Sequence, residues 1–430
     1  MHERYDVLVV GAGPAGLTAA QAAASRGARV GLLDAQVQAG GQVWRHDVRH
    51  APPAVARRAI EAALSHPGIE WLAQTRVVLQ EHDALLLEDN ERAWHVRYGA
   101  LILANGAREL LLPFPGWTLP GVTGTGGLQA LGKQGWPLAG KKVVIGGSGP
   151  LLLAAAATAK RHGATVLSIH EQASAAQIHR FARGLWRWPS KAWQAAMLRT
   201  TLAGVPYHTG SVVRRALGGD ALQGVEIDGP HGRRQIACDQ LAAGYGLVPN
   251  VELAQMLGCE LRYPNRHACV SVDDMQRTSL ANVFAAGEVC GIGGRDSARI
   301  EGAIAGYAAV GDQAQARQLL PARQRTRRFA DALATHFALD PRVLALADSD
   351  TLICRCEDVP LSALDAFPDA RSAKLATRCG MGACQGRICG SALAELSRFP
   401  RGGIRPPLFP ARLSTLGTAP FDPESQGVHP

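Results

Sequence analysis

Five of the nine cysteines lie within 36 residues, in two groups whose spacing suits a metal centre. The first group is Cys354 and Cys356, and the second is Cys379, Cys384 and Cys389. A single intervening residue on an extended segment returns both side chains of the first group to one face, and the glycines around the second group let the chain bend towards it. Thiolates ligate the iron of iron–sulfur clusters, usually four at a time, although a four-thiolate site also suits zinc. The pattern predicts an iron–sulfur cluster, with zinc as the alternative.

The other four cysteines stand alone in the sequence, at positions 238, 259, 269 and 290. None of them belongs to the Cys-x-x-Cys pair that disulfide exchange beside a cofactor would need, so we expect small buried apolar residues. The total is odd and the chain has no secretory start, which argues against a disulfide framework. The cysteines therefore predict a protein of a reducing, cytoplasmic compartment.

The N-terminus has the pattern of a dinucleotide-binding fold. A β-rich run ends at Val10, a glycine loop and an alanine-rich helical stretch follow, and a second β-rich run ends at Asp34. In such a loop the first glycine permits the tight turn, the second lets the backbone approach a pyrophosphate, and the third permits close packing of helix and strand. The helix N-terminus presents N–H groups to the phosphates, and the acid suits the ribose hydroxyls of an adenine dinucleotide. The loop consists of Gly11, Ala12, Gly13, Pro14, Ala15 and Gly16.

The same unit recurs in the middle of the chain in a degraded form. Gly147 and Gly149 follow a β-rich run, and the next such run ends near Glu171. Leu152 stands at the third glycine position, so a bulky side chain lies where helix and strand should meet closely. Glu171 could still bind a ribose, and it argues against a 2′-phosphate. The sequence leaves open whether NAD, ATP or no nucleotide binds here.

Composition excludes several other classes. The chain of 430 residues is long enough for about three domains of roughly 150 residues each, and its 47% apolar content can fill their cores. The net charge of +9 comes mostly from dispersed arginine, with only 5% aromatic residues, so we expect no nucleic-acid binding. No run of about 20 apolar residues occurs, so we expect no transmembrane segment.

Two later motifs resemble those of the two-dinucleotide flavoproteins of the disulfide-reductase and thioredoxin-reductase superfamily. Ala104, Asn105 and Gly106 stand at the Ala-Thr-Gly motif, and Gly287 and Glu288 stand at the flavin-ribityl motif. The family usually has Asp at the last position, and the longer Glu288 side chain should still reach a ribityl hydroxyl. The resemblance implies an α/β fold with two Rossmann-like dinucleotide-binding domains and FAD in the first.

The same resemblance implies a discontinuous FAD-binding domain, residues 1–120 and 271–312, with a second nucleotide-binding domain, residues 121–270, inserted between its parts. Basic linker helices then follow, and their arginines suit either a solvated helix or a docking surface for another subunit. A small cysteine-rich, metal-binding domain and an extended tail, which lies along a partner or along the surface of the chain itself, complete the prediction. These last three segments are residues 313–348, 349–400 and 401–430.

The cysteine groups resemble the [2Fe–2S] domain of bacterioferritin-associated ferredoxin. That domain has Cys-x-Cys followed some thirty residues later by a second pair, which a glycine turn precedes. Aligning the turn with Gly380 and Gly382 implies that Cys379 is the spare cysteine. The implied iron ligands are Cys354, Cys356, Cys384 and Cys389.

Over nearly its whole length the chain resembles the α subunits of heteromeric D-hydroxyproline dehydrogenases and opine oxidases. Gly40, Gly41 and Gln42 in an early loop, the hinge Arg108 and Glu109, and the run from Thr377 to Cys389 carry this resemblance. It implies that Gly41 and Gln42 contact FAD, and that the amine or imino acid is oxidised on a separate flavoprotein β subunit. FMN at a subunit interface, a small ferredoxin-like γ subunit and membrane association through the electron acceptor stay open.

No catalytic residue can be assigned from the sequence, because no His, Tyr and Arg set has a recognisable spacing. The leading hypothesis is an FAD and [2Fe–2S] α subunit of a dehydrogenase acting on CH–NH groups, with D-hydroxyproline as the favoured substrate. Alternatives are a subunit of an opine oxidase or hydrogen cyanide synthase, a stand-alone NADH-dependent flavin reductase, or a flavoprotein fold kept as an assembly scaffold.

Overall fold

The computed structural model describes residues 4–418, and the remaining residues at either end lie outside the described part. Its strands, numbered in chain order, are β1 Arg4–Val10, β2 Val30–Leu33, β3 Ile69–Leu72, β4 Arg76–Glu81, β5 Ala84–Glu88, β6 Ala93–Leu103, β7 Ala107–Glu109, β8 Val122–Gly124, β9 Lys142–Gly147, β10 Thr165–Glu171, β11 Tyr207–His208, β12 Val212–Gly218, β13 Leu222–Gly229, β14 Gly232–Ala237, β15 Gln240–Gly244, β16 Leu247–Pro249, β17 Leu261–Arg262, β18 Cys269–Val270, β19 Val283–Ala285, β20 Leu352–Cys354 and β21 Val359–Pro360.

The α-helices are α1 Pro14–Ala24, α2 Ala54–Leu64, α3 Thr125–Lys133, α4 Leu151–Arg161, α5 Ala175–Gly184, α6 Pro189–Thr201, α7 Glu252–Leu257, α8 Gly294–Ala309, α9 Gln313–Gln318, α10 Leu320–His336, α11 Pro341–Leu344, α12 Ala370–Thr377, α13 Cys389–Glu395 and α14 Leu413–Leu416. Short 3-10 helices cover Leu185–Arg187, Gly287–Cys290 and Leu361–Leu364. None of the helices in residues 4–418 combines the length and apolar character needed to cross a membrane.

The first sheet is a Rossmann-type sheet completed by a strand from much later in the chain. Its order is β3-β2-β1-β6-β5-β4, and β19 also pairs with β6. β6 is 11 residues long, so one part of it pairs antiparallel with β5 while its last three residues pair parallel with β19. Strands β1, β2, β3 and β6 are mutually parallel, and α1 and α2 connect them as βαβ crossovers do.

The register of this sheet brings four chain segments to one edge. Val10, Leu33 and Leu103 stand side by side at the carboxyl ends of their strands, and Ala285 pairs with Leu103. The residues that follow these strand ends therefore meet in one place. In open α/β sheets this edge is where ligands bind.

Two glycines fix α8 tightly against α1. A Cβ atom on Gly302 would lie 2.1 Å from the carbonyl oxygen of Ala15, and one on Gly306 would lie 2.3 Å from that of Ala19. Because these glycines are four residues apart, they lie on one face of α8. The close approach places the N-terminus of α8 beside that of α1 at the same sheet edge.

The second sheet repeats the pattern with order β11-β10-β9-β15-β8, and all of its pairs are parallel. A three-stranded antiparallel sheet of β12, β13 and β14 packs beside it. The sequence-based prediction of an α/β fold with two Rossmann-like sheets is therefore confirmed. Leu152, at the third glycine position, is fully buried in the core of the second sheet.

The basic linker packs against α8 through part of its charge. Glu301 on α8 is 1% exposed, and its Oε1 accepts a hydrogen bond from Nε of Arg327 on α10 at 2.6 Å. Arg323, one turn earlier on α10, lies 3.0 Å from Asp274. A carboxylate buried as deeply as that of Glu301 is stable only when it is paired. Arg327 pairs with Glu301 and Arg323 with Asp274, so both arginines have their partners within the chain.

The tail returns to the first sheet. Leu408 is buried, and its N–H donates to the carbonyl of Val78 in β4 at 2.7 Å. Arg412 donates to the backbone carbonyls of Asp89 and Arg92 just after β5. Residues 401–418 of the predicted extended tail thus lie along the chain itself, and the rest of it lies outside the described residues.

Candidate flavin and metal-cluster sites

A cleft opens at the carboxyl edge of the first sheet, where the four strand ends meet. Its walls come from the glycine loop, the ends of β2 and β6, the 3-10 helix after β19 and the first turn of α8. The cleft is lined by Gly11, Gly13, Pro14, Ala15, Asp34, Gln36, Gly41, Gln42, Val43, Ala104, Asn105, Gly106, Ala107, Asn250, Ala286, Glu288, Gly294, Arg295 and Ala298.

The loop glycines differ in what surrounds them. A Cβ on Gly11 would lie 2.3 Å from the carbonyl oxygen of Ala104, and one on Gly16 would lie 1.7 Å from that of Gly11, so both must be glycine for the backbone to pack. A Cβ on Gly13 would meet only Gly41, at 3.9 Å. Gly13 therefore presents bare backbone to the cleft, as close approach of a pyrophosphate requires.

Asp34 stands on the rim beside this loop. Its Oδ2 accepts a hydrogen bond from the N–H of Ala12 at 2.8 Å, and its Oδ1 accepts one from the N–H of Gln36 at 2.9 Å. Burial raises the pKa of Asp34, and these two hydrogen bonds oppose the rise. Each carboxylate oxygen keeps a lone pair for a ribose hydroxyl.

Asn105 and Glu288 provide polar groups on the other walls. The Oδ1 atom of Asn105 is buried and has no hydrogen-bond partner within residues 4–418, and a buried polar atom of this kind needs one. Glu288 lies on the 3-10 helix after β19, and burial raises the pKa of its carboxyl group. The open backbone of Gly13, the Asp34 carboxylate and the unpaired Asn105 oxygen fit a polar, phosphate-containing ligand such as FAD.

The first-sheet residues predicted from the sequence line this cleft with two exceptions, Gly16 and Gly287, and Gly16 packs behind it. The backbone conformation of Gly287, with φ at +80°, directs the chain past Ala15. Sequence reasoning missed Asn250, which enters from the segment after β16 and whose Nδ2 donates to the carbonyl of Asn105 at 3.0 Å. No local motif marks Asn250, because its role depends on a contact across 145 residues.

The second glycine loop has a different environment. Glu171, for which the sequence predicted a ribose contact, is fully buried. Its two oxygens accept hydrogen bonds from the N–H groups of Gly149 at 2.7 Å and Ala173 at 2.9 Å. The carboxylate therefore holds the protein's own loop, and none of its surface is open to a ribose.

Residues 337–340, which we call the covering segment, lie over this loop. Ser148 Oγ donates to the carbonyl of Phe337 at 3.0 Å, and Gln172 Nε2 donates to that of Ala338, also at 3.0 Å. The Phe337 ring lies 3.7 Å from the position of a Cβ on Gly149. The second glycine of such a loop is the one that a pyrophosphate approaches, so a nucleotide could bind here only after the covering segment moved.

The buried Glu171 predicts a pH dependence of stability. Burial raises the pKa of Glu171 to about 7, above its ordinary 4.5, so the protonated form is preferred in the folded state. The protonated Glu171 contributes its full stabilisation below its ordinary pKa of 4.5. This contribution is lost as the pH rises through the folded-state pKa of about 7. We expect the free energy of unfolding of wild type to fall by up to about 3 kcal/mol across this range because of this group.

Urea unfolding at pH 4.5, 6 and 8 would measure the effect. The Glu171→Gln variant removes the titrating group at nearly constant shape, so its unfolding free energy should lack this component of the pH slope. Equal slopes for wild type and variant would contradict the assignment.

The five clustered cysteines lie in the region that contains α12 and α13, which has a hydrophobic cluster of its own. The Sγ atoms of Cys354, Cys379 and Cys389 all lie within 4.8 Å of one another and are buried. The Sγ atoms of Cys356 and Cys384, which are more exposed, lie 3.9 Å apart. The structure thus places two of the predicted ligands, Cys354 and Cys389, in a buried group with Cys379, which the family resemblance set aside, and the other two, Cys356 and Cys384, in a separate pair.

Glycine conformations make this convergence possible. A Cβ on Gly382 would lie 2.1 Å from Cβ of Cys356, and Gly380, with φ at +84°, approaches Sγ of Cys389. A larger residue at position 382 would separate the two cysteine groups. Three buried thiols and an adjacent pair suit a thiolate-bound cluster of iron or a zinc ion.

A chain of hydrogen bonds links the cleft to the cysteines. Asn250 contacts Asn105 at the cleft, and its Oδ1 accepts a hydrogen bond from Arg108 at 2.7 Å. Arg108 Nε donates to the carbonyl of Arg387, at 3.1 Å, and Arg387 lies between Cys384 and Cys389 in the sequence. The cysteine-bearing segment is therefore joined to the cleft through Arg108, which bonds both to the cleft residue Asn250 and to the loop between Cys384 and Cys389.

A buried ion cluster and a hydrogen bond from a tryptophan stabilise the contact between the cysteine region and the rest of the chain. Glu252 pairs with Arg108 at 2.8 Å and also with Arg401, and Arg387 lies 3.8 Å from it. Trp117 Nε1 donates to the carbonyl of Leu352 at 2.7 Å. Arg108 belongs to the hinge motif recognised in the sequence, but the motif does not indicate what Arg108 contacts. No sequence signal indicates a role for Glu252.

Comparisons with known proteins agree with this fold. Residues 5–310 match the family described as pyridine nucleotide-disulphide oxidoreductase. One of the subunits of opine oxidase from Rhizobium meliloti (strain 1021) is 32% identical, with 96% of this chain and 98% of the relative covered. Hydrogen cyanide synthase subunit HcnB of Pseudomonas aeruginosa is 31% identical, with 89% and 90% covered. The crystal structure of L-proline dehydrogenase from P. horikoshii has the same fold, with a TM-score of 0.67 at 18% identity over 96% of this chain and 79% of that one.

Proposed function

Because the chain belongs to the pyridine nucleotide-disulphide oxidoreductase family, we propose that it is the electron-transferring α subunit of a heteromeric dehydrogenase. It is a flavin-dependent oxidoreductase by family, and its relatives are subunits of multi-subunit enzymes. In the proposal the complex oxidises the CH–NH bond of an amino or imino acid on a flavoprotein β subunit, and this chain carries the electrons onward. D-hydroxyproline is the favoured substrate, and an opine is the second candidate because of the similarity to the opine oxidase relative.

The observation that carries the proposal is the contact between the cleft and the cysteine domain. Asn250 and Arg108 connect the cleft wall to the loop that bears Cys384 and Cys389 through hydrogen bonds of 2.7–3.1 Å. Such packing suits short-range electron transfer between two redox groups within one chain. A disulfide reductase would instead need a Cys-x-x-Cys pair at the flavin, and the chain has none.

The residues that would hold each group follow from the geometry. The loop from Gly11 to Gly16 and the N-terminus of α1 would hold the FAD pyrophosphate, Asp34 the adenosine ribose, and Glu288 the ribityl chain. Bound FAD would supply the exchange between two-electron and one-electron transfer. A [2Fe–2S] cluster held by four of the five thiols would accept single electrons.

The covering segment argues against a stand-alone NADH-dependent flavin reductase. Phe337 lies at the loop position that the pyrophosphate of NADH would approach, and Glu171 is bonded to that loop. In the proposal the second Rossmann domain serves as a scaffold that anchors the linker to the cysteine domain. Electrons therefore enter from the β subunit.

Anaerobic reduction of the chain alone and of its complex with the β subunit tests the proposal. NADH should leave the flavin absorbance of the isolated chain unchanged, and D-hydroxyproline should bleach flavin only in the complex. The same assay with an opine ranks the two substrate classes. If the isolated chain oxidised the imino acid at the rate of the complex, or if NADH reduced it rapidly, the proposed function would be wrong.

A further inference from the structure

The segment from α5 to α6 contains no fully buried residue. No residue between 175 and 201 is buried by the rest of the described chain. Trp186 and Trp193 are 74% and 70% exposed, and Met197 is 49% exposed. Trp193 and Met197 are four residues apart on α6 and so share one face. Large apolar side chains clustered at the surface mark interaction sites.

The segment is nevertheless firmly attached to the domain by its other face. Lys191 pairs with Asp296 in the first turn of α8 at 2.6 Å. The Trp188 ring packs edge-on against Phe329 of α10 at 5.3 Å, and its Nε1 donates to the carbonyl of Arg325. The inward side chains thus fix α6, whereas Trp186, Trp193 and Met197 are largely exposed, with the guanidinium of the adjacent Arg187 5.5 Å from the centre of the Trp186 ring.

The same segment is strongly cationic. It carries Arg180, Arg183, Arg187, Lys191 and Arg199, and the sequence has neither Asp nor Glu from 172 to 219. Lys191 is neutralised by Asp296, whereas Arg183, Arg187 and Arg199 are exposed. Their charge suits a partner whose facing surface is acidic.

One residue of the segment, Lys191, contacts the turn of α8 that borders the flavin cleft. Asp296, to which α6 is attached, follows Arg295, and Arg295 lines the cleft. A protein bound to α6 would therefore sit next to the N-terminus of α8. That position suits a partner that exchanges electrons with a group in the cleft.

We propose that Trp186, Trp193 and Met197, with Arg183, Arg187 and Arg199 around them, form the docking surface for the flavoprotein β subunit. The inference rests on the proposed function, because it presumes that subunit. Tryptophan, methionine and arginine are the residues most enriched at protein interfaces. A membrane-surface helix would need a continuous apolar face, but the outward positions of α6 also include Ser190, Gln194 and Thr200.

Reconstitution of the complex tests the docking surface. The β subunit is purified from the native complex, identified by its bound flavin, and titrated with this chain as wild type or as the variant Trp186→Ser/Trp193→Ser/Met197→Ser. Because each tryptophan at the centre of an interface contributes roughly 30-fold to affinity, we expect the variant to bind at least about 100-fold more weakly. Its FAD and iron content should match wild type, since none of the three side chains is buried.

The matched control replaces exposed aromatic residues outside this segment, in the variant Trp136→Ser/Tyr263→Ser, which should bind like wild type. If the triple variant kept wild-type affinity for the β subunit, this surface would be wrong and the proposed function would stand. If wild type failed to bind any β subunit, both would fail. Flotation with phosphatidylserine vesicles tests a membrane as the alternative partner. If the triple variant lost vesicle binding that wild type shows but kept its affinity for the β subunit, this surface would bind membranes and the docking proposal would be wrong.

Discussion

If the chain binds the proposed cluster, replacing Cys354 by serine should remove it and stop electron transfer beyond the flavin, while FAD stays bound. Cys354 is 2% exposed and lies within 4.8 Å of Cys379 and Cys389, so a serine hydroxyl there cannot supply the thiolate that iron requires. We expect the iron content to fall from about two atoms per chain to nearly none, since a [2Fe–2S] cluster holds that number. Flavin-to-dye turnover in the complex should fall by at least two orders of magnitude.

Iron and sulfide analysis, together with electron paramagnetic resonance of the reduced protein, would measure this loss. Cys238→Ser is the matched control, because Cys238 is equally buried but packs in the core of the second domain. Cys238→Ser should keep its iron and its spectrum. Zinc instead of iron in the wild-type protein, or full iron content in Cys354→Ser, would contradict the prediction.

The same series decides which four thiols bind the cluster. The 3.9 Å contact between Cys356 and Cys384 suits ligation of one iron atom of the cluster. The second iron atom would then be bound by two of the three buried thiols, those of Cys354, Cys379 and Cys389. Retention of iron in Cys379→Ser would support the ligand set implied by the family resemblance. Loss of iron there, with retention in Cys389→Ser, would move Cys379 into that set.

Much of the flavin cleft could be predicted from the sequence because its signals are local. Gly11 and Asp34 each follow a strand directly, and strands that pair in parallel must end at the same edge. The register of Val10 with Leu33 and Leu103 then brings them together. A motif of this kind contains both the ligand-binding residue and the strand that positions it.

The domain contacts could not be predicted because they join distant parts of the chain. Arg108 meets Glu252 across 144 residues and Arg387 across 279, and no periodicity or spacing relates these positions. The same holds for Phe337, whose contact with Gly149 decides how the second glycine loop is used. The sequence showed a degraded motif there, but only the tertiary structure shows what lies over it.

Glu171 illustrates how a correct motif can indicate the wrong environment. An acid after the second strand of a Rossmann unit predicts a ribose contact, and Glu171 occupies that position. Tyr207, from a later part of the chain, donates a hydrogen bond to Oε2 of Glu171, and the covering segment contacts the neighbouring residues Ser148 and Gln172. Leu152 is the sequence signal that could have indicated a loop without a nucleotide. A loop that binds a nucleotide has glycine at this third position, and this chain does not.

Replacing Glu252 by glutamine should separate the cysteine domain from the flavin cleft. Glu252 is 5% exposed, and its carboxylate faces the guanidinium groups of Arg108, Arg387 and Arg401. Burial by itself raises the pKa of Glu252, but Arg108 and Arg401 outweigh it and hold the pKa below its ordinary value. The amide would leave three half-buried cations without a counter-charge. Removing one partner of a buried ion pair costs about 3–5 kcal/mol, so we expect a loss of this size in the unfolding free energy.

Two measurements connect this loss to function. Urea unfolding should show a lower midpoint, and stopped-flow reduction should show slower electron transfer from flavin to cluster even though both groups are fully loaded. The control is Glu61→Gln on α2, where the side chain is 65% exposed and lies 4.0 Å from Arg57, and where exposed pairs contribute at most about 1 kcal/mol. Since the folded-state pKa of Glu252 is depressed, wild type should lose the same contact as the pH falls through that pKa, and the variant should not. Normal transfer rates in Glu252→Gln would mean that the hydrogen-bonded path through Arg108 is not what couples the two sites.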